Sequence, residues 1–209
     1  MCGIIGYTGS AEAVPILLNG LSTLEYRGYD SAGIAVQKNG IQVVKAKGRL
    51  SLLEEKLKNH AELTAAHCGI GHTRWATHGE PSDRNSHPHA TENLALVHNG
   101  IIENYAEIAA FLAEKGYTFI SETDTETAAK LVDYYYTLTH DAKKAIFRSV
   151  EQLRGSYAFG VIFKDLPDVI FAIRKDSPLV VAATKDGGVI ASDVPAILAH
   201  TKDYYRLDE

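Results

Sequence analysis

The sequence has few cysteines, no excess of positive charge and no long apolar run, and each shortage excludes a class of protein. Two cysteines in 209 residues, one of them at position 2, make no disulfide framework, so both read as reduced thiols of a cytoplasmic protein. Lys and Arg number 21 against 26 Asp and Glu, a net charge of −5. That balance gives no electrostatic basis for nucleic acid or an anionic membrane as partner. The apolar runs, such as residues 179–183, fall far short of the ~20 residues that span a bilayer. No basic segment precedes an apolar stretch at the N-terminus, so no secretory signal is read. There is no Gly-x-Gly-x-x-Gly and no Walker-type loop, hence no nucleotide-binding signal. No repeat, low-complexity tract or linker interrupts the chain.

What is present is an ordinary globular mixture, 45% hydrophobic and 22% charged. A chain of this length buries roughly 70% of its unfolded surface, enough for a core without disulfides or metals. The opening residues 2–7 read as a short buried strand. Helical apolar spacing covers residues 11–26, with Gly28 as a C-terminal cap. Strands at 33–37 and 42–46 flank Asn39-Gly40, a strong hairpin signal. Ser51 to Glu54 matches a capping box that opens a helix through about Lys58. Strands follow at 67–75 and 94–98, each running into a polar, glycine-containing loop. Helices are expected at 103–115, 125–138 and 142–153, and strands again at 157–163, 169–173, 179–183 and 189–191. Strands, then helices, then strands favour α+β layering in a single domain, residues 1–209. The last residues, 205–209, carry no closing cap or turn, which is read as a sign that a longer protein continues beyond them.

Four elements carry candidate chemistry. Cys2 is either a small buried cysteine in an edge strand or, if Met1 is removed, a thiol beside its own free α-amine. That amine has a pKa near 7.7–8.0, so it supplies a base next to the nucleophile. The run from His72 to Pro81 leaves a strand through Gly79, and Arg74 there is either a surface arginine stacked on Trp75 or a fork for a carboxylate. Asn99-Gly100 is either a turn or a pair of N–H donors aimed at one oxyanion. Ser121 to Glu126 is written like a helix N-terminus, yet an acid there could also receive an ammonium. The nine histidines show no metal-ligand spacing, and no metal is expected.

Together these elements resemble one family. Met1-Cys2-Gly3-Ile4, Glu25-Tyr26-Arg27-Gly28-Tyr29-Asp30, Arg74-Trp75, His98-Asn99-Gly100 and Glu122-Thr123-Asp124-Thr125-Glu126 occur in the order seen in the class II, N-terminal nucleophile, glutamine amidotransferases. Within that family the wording of Tyr26 to Asp30 and of His72 to Gly79 is similar to the glucosamine-6-phosphate synthases. It departs from the His-Arg-Gly-Gln-Glu and Arg-Tyr-Ser-Thr wording of the amidophosphoribosyltransferases. The likeness covers nearly the whole chain.

The resemblance implies a four-layer αββα sandwich of the N-terminal nucleophile hydrolase type, with Cys2 at the end of a central strand. It implies that Cys2 attacks the side-chain amide of L-glutamine, with Asn99 and Gly100 as the oxyanion hole. Arg74 would take the α-carboxylate and Asp124 the α-ammonium. Trp75, Thr77 and His78 would line the same loop, and Arg27 would support the nucleophile. Cys68 matches no motif and reads as a buried strand thiol. No cofactor is implied. The whole enzyme would add sugar isomerase domains that receive the ammonia, and would be a homo-oligomer. Three other readings stay open: the glutaminase domain of another class II amidotransferase, an N-terminal nucleophile amidase acting on another acyl group, and a non-catalytic module that senses glutamine or serves only in assembly.

Overall fold

A computed structural model describes residues 2–76 and 79–208. The chain opens with strand β1 (Gly3–Gly9), helix α1 (Ala13–Leu24) and a 3-10 turn at Glu25–Arg27. A hairpin follows, β2 (Ser31–Gln37) and β3 (Ile41–Lys47), then α2 (Leu50–Leu57), a second 3-10 turn at Ala61–Ala65 and β4 (Cys68–Arg74). The middle holds β5 (His89–Ala90), β6 (Leu94–Ile102), α3 (Tyr105–Glu114), α4 (Asp124–Thr139) and α5 (Ala142–Val150). The last part is β7 (Gly155–Phe163), β8 (Ile170–Lys175), β9 (Val180–Thr184), β10 (Gly187–Ala191), α6 (Pro195–Leu198) and β11 (Tyr205–Arg206).

The strands form two antiparallel sheets. One has the order β11-β9-β10-β1-β4-β2-β3 and the other β5-β6-β7-β8. Leu17, Leu21, Ile34 and Leu53 pack the first sheet beneath α1 and α2, and Leu96, Phe159, Leu131 and Ile146 pack the second beneath α4 and α5. Ile4, Ile70, Val97 and Ile162 form a third core between the two sheets. The result is the expected α, β, β, α stack.

Period-2 alternation within each strand decides which layer a side chain enters. In β4, Cys68 and Ile70 face the second sheet, and the same parity carries His72 and Arg74. In β6, Ala95 and Val97 face the first sheet, so Asn99 does too. In β1, Ile4 lies between the sheets, and Cys2 shares its side. The apolar layer between the sheets thus gives way at one end to a polar one.

Cys2 precedes the middle strand of a seven-stranded sheet, the central strand that the resemblance implied, so the edge-strand alternative falls. Several other expectations are corrected. Gly28 is extended, at φ −173°, and caps nothing left-handed. A Cβ there would sit 2.6 Å from the Arg74 carbonyl carbon and 2.9 Å from the Trp75 nitrogen, so close backbone approach is what requires glycine. Ser51 caps nothing, because α2 starts one residue earlier and has no side-chain cap. Asn99 and Gly100 form no turn: β6 runs on through Ile102, paired against Ala158 and Tyr157 of β7. Helix α5 stops at Val150. Residues 205–206 pair with β9 instead of trailing off. Asn39 and Gly40 do take the positive φ values, 52° and 95°, of a tight hairpin turn. Among the described residues no helix is long and apolar enough to cross a membrane.

Candidate active site

Cys2 sits where β1, the end of β4 and β6 converge. The Trp75 N–H donates to its Sγ at 3.3 Å, and the thiol reaches the Trp75 carbonyl at 3.6 Å. Burial pushes the thiol pKa up, against the Trp75 N–H and the Arg74 charge, which favour the thiolate. At neutral pH the group is therefore a thiol that needs a base. The Cys2 carbonyl accepts from Asn99 Nδ2 at 3.0 Å and from Arg27 Nε at 3.2 Å. Arg27 is held in turn by Asp193 at 2.6 Å, and the same carboxylate accepts from the Tyr26 hydroxyl at 2.5 Å. Ser192 accepts the Ile4 N–H at 2.9 Å, fixing the strand behind the thiol.

Cys2, Arg74, Trp75, Gly100 and Asp124 line one small polar cleft, with His87, His98, Thr123 and Thr125 behind them. Arg74 is buried at the end of β4, and its Nη2 donates to the Gly79 carbonyl at 3.0 Å. Asp124 is the first residue of α4. Its Oδ2 accepts the Ile102 N–H at 2.8 Å and lies 3.9 Å from His98 Nδ1. The cap of α4 is its neighbour Thr123, whose hydroxyl accepts the Glu126 N–H at 3.3 Å. Glu126 completes the turn by accepting the Ser121 N–H at 2.6 Å. The helix-start pattern and an acid in the cleft therefore coexist: Thr123 and Glu126 make the cap, and Asp124 lines the cleft.

On the other side of Gly100 the cleft continues into a space of about 440 Å³, lined by Arg27, Trp75, Asn99, Ile101 and Pro178. Gly100 has φ +125°, and a Cβ would collide with the Ser156 carbonyl, so only glycine fits. The structure thus brings together Cys2, Arg27, Arg74, Trp75, Asn99, Gly100 and Asp124. Thr77 and His78, expected in the same loop, lie outside the described residues. Cys68 is fully buried, and burial pushes its pKa up to about 12, as for an inert thiol.

Several residues that hold the site together were given no role of their own in the sequence. Asp30 accepts the Ala76 N–H and ties the residue after Trp75 to the start of β2. Asn85 donates to the Glu80 carbonyl at 3.0 Å and accepts the Glu122 N–H at 3.0 Å, bridging the loop beyond Arg74 to the segment before Asp124. Behind both, His72, His87, His89 and His98 pack as a buried block, with His72 stacked on His87 at 4.0 Å between centroids. Burial lowers the pKa of all four, to about 3 for His72 and His89. Among the described residues no three His, Cys, Asp or Glu side chains are grouped to hold a metal ion.

With this geometry in hand, similarity to known proteins becomes informative. The profile of the family described as "Glutamine amidotransferase domain" matches residues 72–199, more than half of the chain. Among curated proteins, the glutamine–fructose-6-phosphate aminotransferase (isomerizing) of Caldanaerobacter subterraneus is 55% identical over the whole of this chain. The protein of the same name from Clostridium tetani is 53% identical. The chain spans 34% of the length of each. Among solved structures, the glutamine phosphoribosylpyrophosphate amidotransferase of B. subtilis, complexed with ADP and GMP, superposes with a TM-score of 0.81 at 28% identity. That match covers 99% of this chain and 45% of the other.

Proposed function

This chain belongs to the glutamine amidotransferase family, and on that footing we propose that it hydrolyses L-glutamine to L-glutamate and ammonia, with Cys2 as nucleophile once Met1 is removed. The observation that carries this reading is the cleft shared by Arg74, Asp124 and the Cys2 thiol. A guanidinium and a carboxylate in one cleft match the two ends of an amino-acid zwitterion. An amidase for a simple acyl group has no use for both.

The chemistry follows from the groups in reach. The thiol adds to the glutamine amide carbon, and its proton passes to the Cys2 α-amine, directly or through one water. Asn99 Nδ2 and the Gly100 N–H face the oxyanion. Collapse breaks the C–N bond, the leaving nitrogen takes the proton back, and ammonia departs from a thioester. Water then adds to the thioester, and the second collapse frees glutamate and restores the thiol. Arg27 holds the Cys2 carbonyl, and Trp75 belongs to the loop that would close over the substrate. No step calls for a cofactor.

In the whole protein the ammonia would go to fructose 6-phosphate bound in a sugar isomerase half, within a cytoplasmic homo-oligomer. The names of the relatives and the 34% span of this chain support the transfer to fructose 6-phosphate by a further part of the protein.

The test is intact mass and ammonia release on the processed chain. One adduct of a glutamine-like electrophile on Cys2, glutamine turnover by the native chain and none by Cys2→Ala are expected. Turnover by Cys2→Ala would overturn the mechanism. Binding of glutamine with no turnover by the native, processed chain would favour a sensing module instead.

A further inference from the structure

We infer that His72 is a positioning residue for the reaction: its ring N–H fixes which end of the Asn99 carboxamide faces the nucleophile. The inference rests on the reading of Asn99 as an oxyanion donor and adds a residue that no motif singled out for this purpose.

His72 lies in β4, paired with Ile4 on one side and Gly33 on the other, and is fully buried between the sheets. Its Nε2 sits 2.9 Å from the His98 carbonyl and 3.1 Å from Asn99 Oδ1. A backbone carbonyl only accepts, so Nε2 carries the hydrogen, and one N–H serves both oxygens. An asparagine amide has two ends of nearly equal size and opposite hydrogen-bonding sense. With Oδ1 against the His72 N–H, Nδ2 must point the other way, to the Cys2 carbonyl at 3.0 Å and the cleft beyond it. A flipped amide would set N–H against N–H at His72 and oxygen against oxygen at Cys2. The first mismatch is buried and the second partly so, where an unmade hydrogen bond is costly.

The ring itself is held from behind. It stacks on His87 at 4.0 Å and 17°, and His87 Nδ1 accepts the His98 N–H at 3.3 Å. His98 is the residue before Asn99, so its two backbone groups are both taken by this histidine pair. The His98 ring turns the other way, to Thr125 Oγ1 at 2.9 Å. The preorganisation of the oxyanion donor is thus supplied from the first sheet, across the layer between the sheets, before any substrate arrives.

The test measures glutamine turnover by the processed chain in a double-mutant cycle. His72→Phe should lower kcat roughly tenfold or more and leave KM nearly unchanged, since a misdirected donor is felt chiefly in the transition state. Placed on Asn99→Ala, the same substitution should cost little further, because nothing remains to be oriented. His72→Gln, which keeps a donor, should be faster than His72→Met, which is similar in length without one. That pair decides the question if His72→Phe does not fold. Equal rates for the Gln and Met variants, or a His72→Phe cost that persists in full on Asn99→Ala, would overturn the inference. Asn99→Ala at the native rate would instead overturn the oxyanion assignment beneath it.

Discussion

Asn99 reaches across from the second sheet and donates its side-chain N–H to the backbone carbonyl of Cys2 at 3.0 Å. The proposed nucleophile and its proposed oxyanion donor are therefore linked directly, although 97 residues separate them. The same amide nitrogen has a second N–H for the reaction. Asn99→Ala should lower kcat for glutamine hydrolysis by about 10²–10³, the usual effect of removing one oxyanion donor. KM should change little, because the donor engages a charge that develops only in the transition state. Steady-state kinetics separate the two, and an undiminished kcat would remove Asn99 from the hole.

Gly28 touches the same site from its backbone side. A methyl there meets the Arg74 carbonyl at 2.8 Å and the Trp75 nitrogen at 2.9 Å, both of them backbone atoms with little freedom to move. Trp75 N is the atom that donates to the Cys2 thiol. Gly28→Ala should therefore displace the Arg74–Trp75 peptide and cost about 1–3 kcal/mol of stability by overpacking. The loss in kcat/KM should be tenfold or more, in line with the effect of a misplacement near ~1 Å. A variant that melts at a lower temperature with unaltered kcat/KM would contradict this coupling.

Asn85 should act on substrate binding. It is buried, and its side chain bonds Glu80, Glu122 and the backbone that leads into Asp124. Gly79, whose carbonyl takes Arg74, packs against the Asn85 amide. One side chain thus braces the supports of both groups proposed to bind the zwitterion. Asn85→Ala should raise KM for glutamine more than it lowers kcat, and should cost about 1–3 kcal/mol of stability through buried groups left unpaired. Calorimetric titration with glutamate, the product, gives an independent reading. An unchanged affinity would limit Asn85 to a structural role.

Much of this was legible in the sequence because it is written locally. The hairpin at Asn39-Gly40 and the α4 cap at Thr123 and Glu126 depend on neighbours within a few residues, and both form as read. The candidate residues Cys2, Arg74, Gly100 and Asp124 do meet in one cleft. What failed depends on distant partners. Asn99-Gly100 has a turn's composition, but β7 supplies a strand to pair with, and pairing prevails. Asp193 and Asn85 act on Arg27 and Glu122 across 166 and 37 residues, with no pattern to announce them. His72 did have a signal: the alternation Cys68, Ile70, His72, Arg74 puts it on the face that carries the site.

The buried histidine block should govern acid stability. In the unfolded chain each histidine titrates near ~6.5. In the folded chain burial holds His72 and His89 to about 3 and lowers His87 and His98 as well. Charged neighbours pull in both directions. Lys45 and Arg74 oppose protonation of His89 and Glu126 favours it, while Asp124 favours protonation of His98. Folded pKa values below the unfolded one mean that, between the two, the unfolded chain binds more protons, so stability falls as the pH drops. The loss begins near pH 6.5. By pH 5 it reaches about 2 kcal/mol for each of His72 and His89, from 1.36 kcal/mol per pH unit over roughly 1.5 units. Glu126 and Asp193, whose pKa values are lowered by their partners despite burial, add their own loss only below about pH 4. Urea midpoints at pH 7.5, 6 and 5 should therefore fall well before the carboxylates titrate. His72→Gln should flatten that slope, because it removes one proton-binding group from the unfolded chain while keeping a donor toward Asn99. A midpoint constant from pH 7.5 to 5 would mean that these rings are not held neutral by burial.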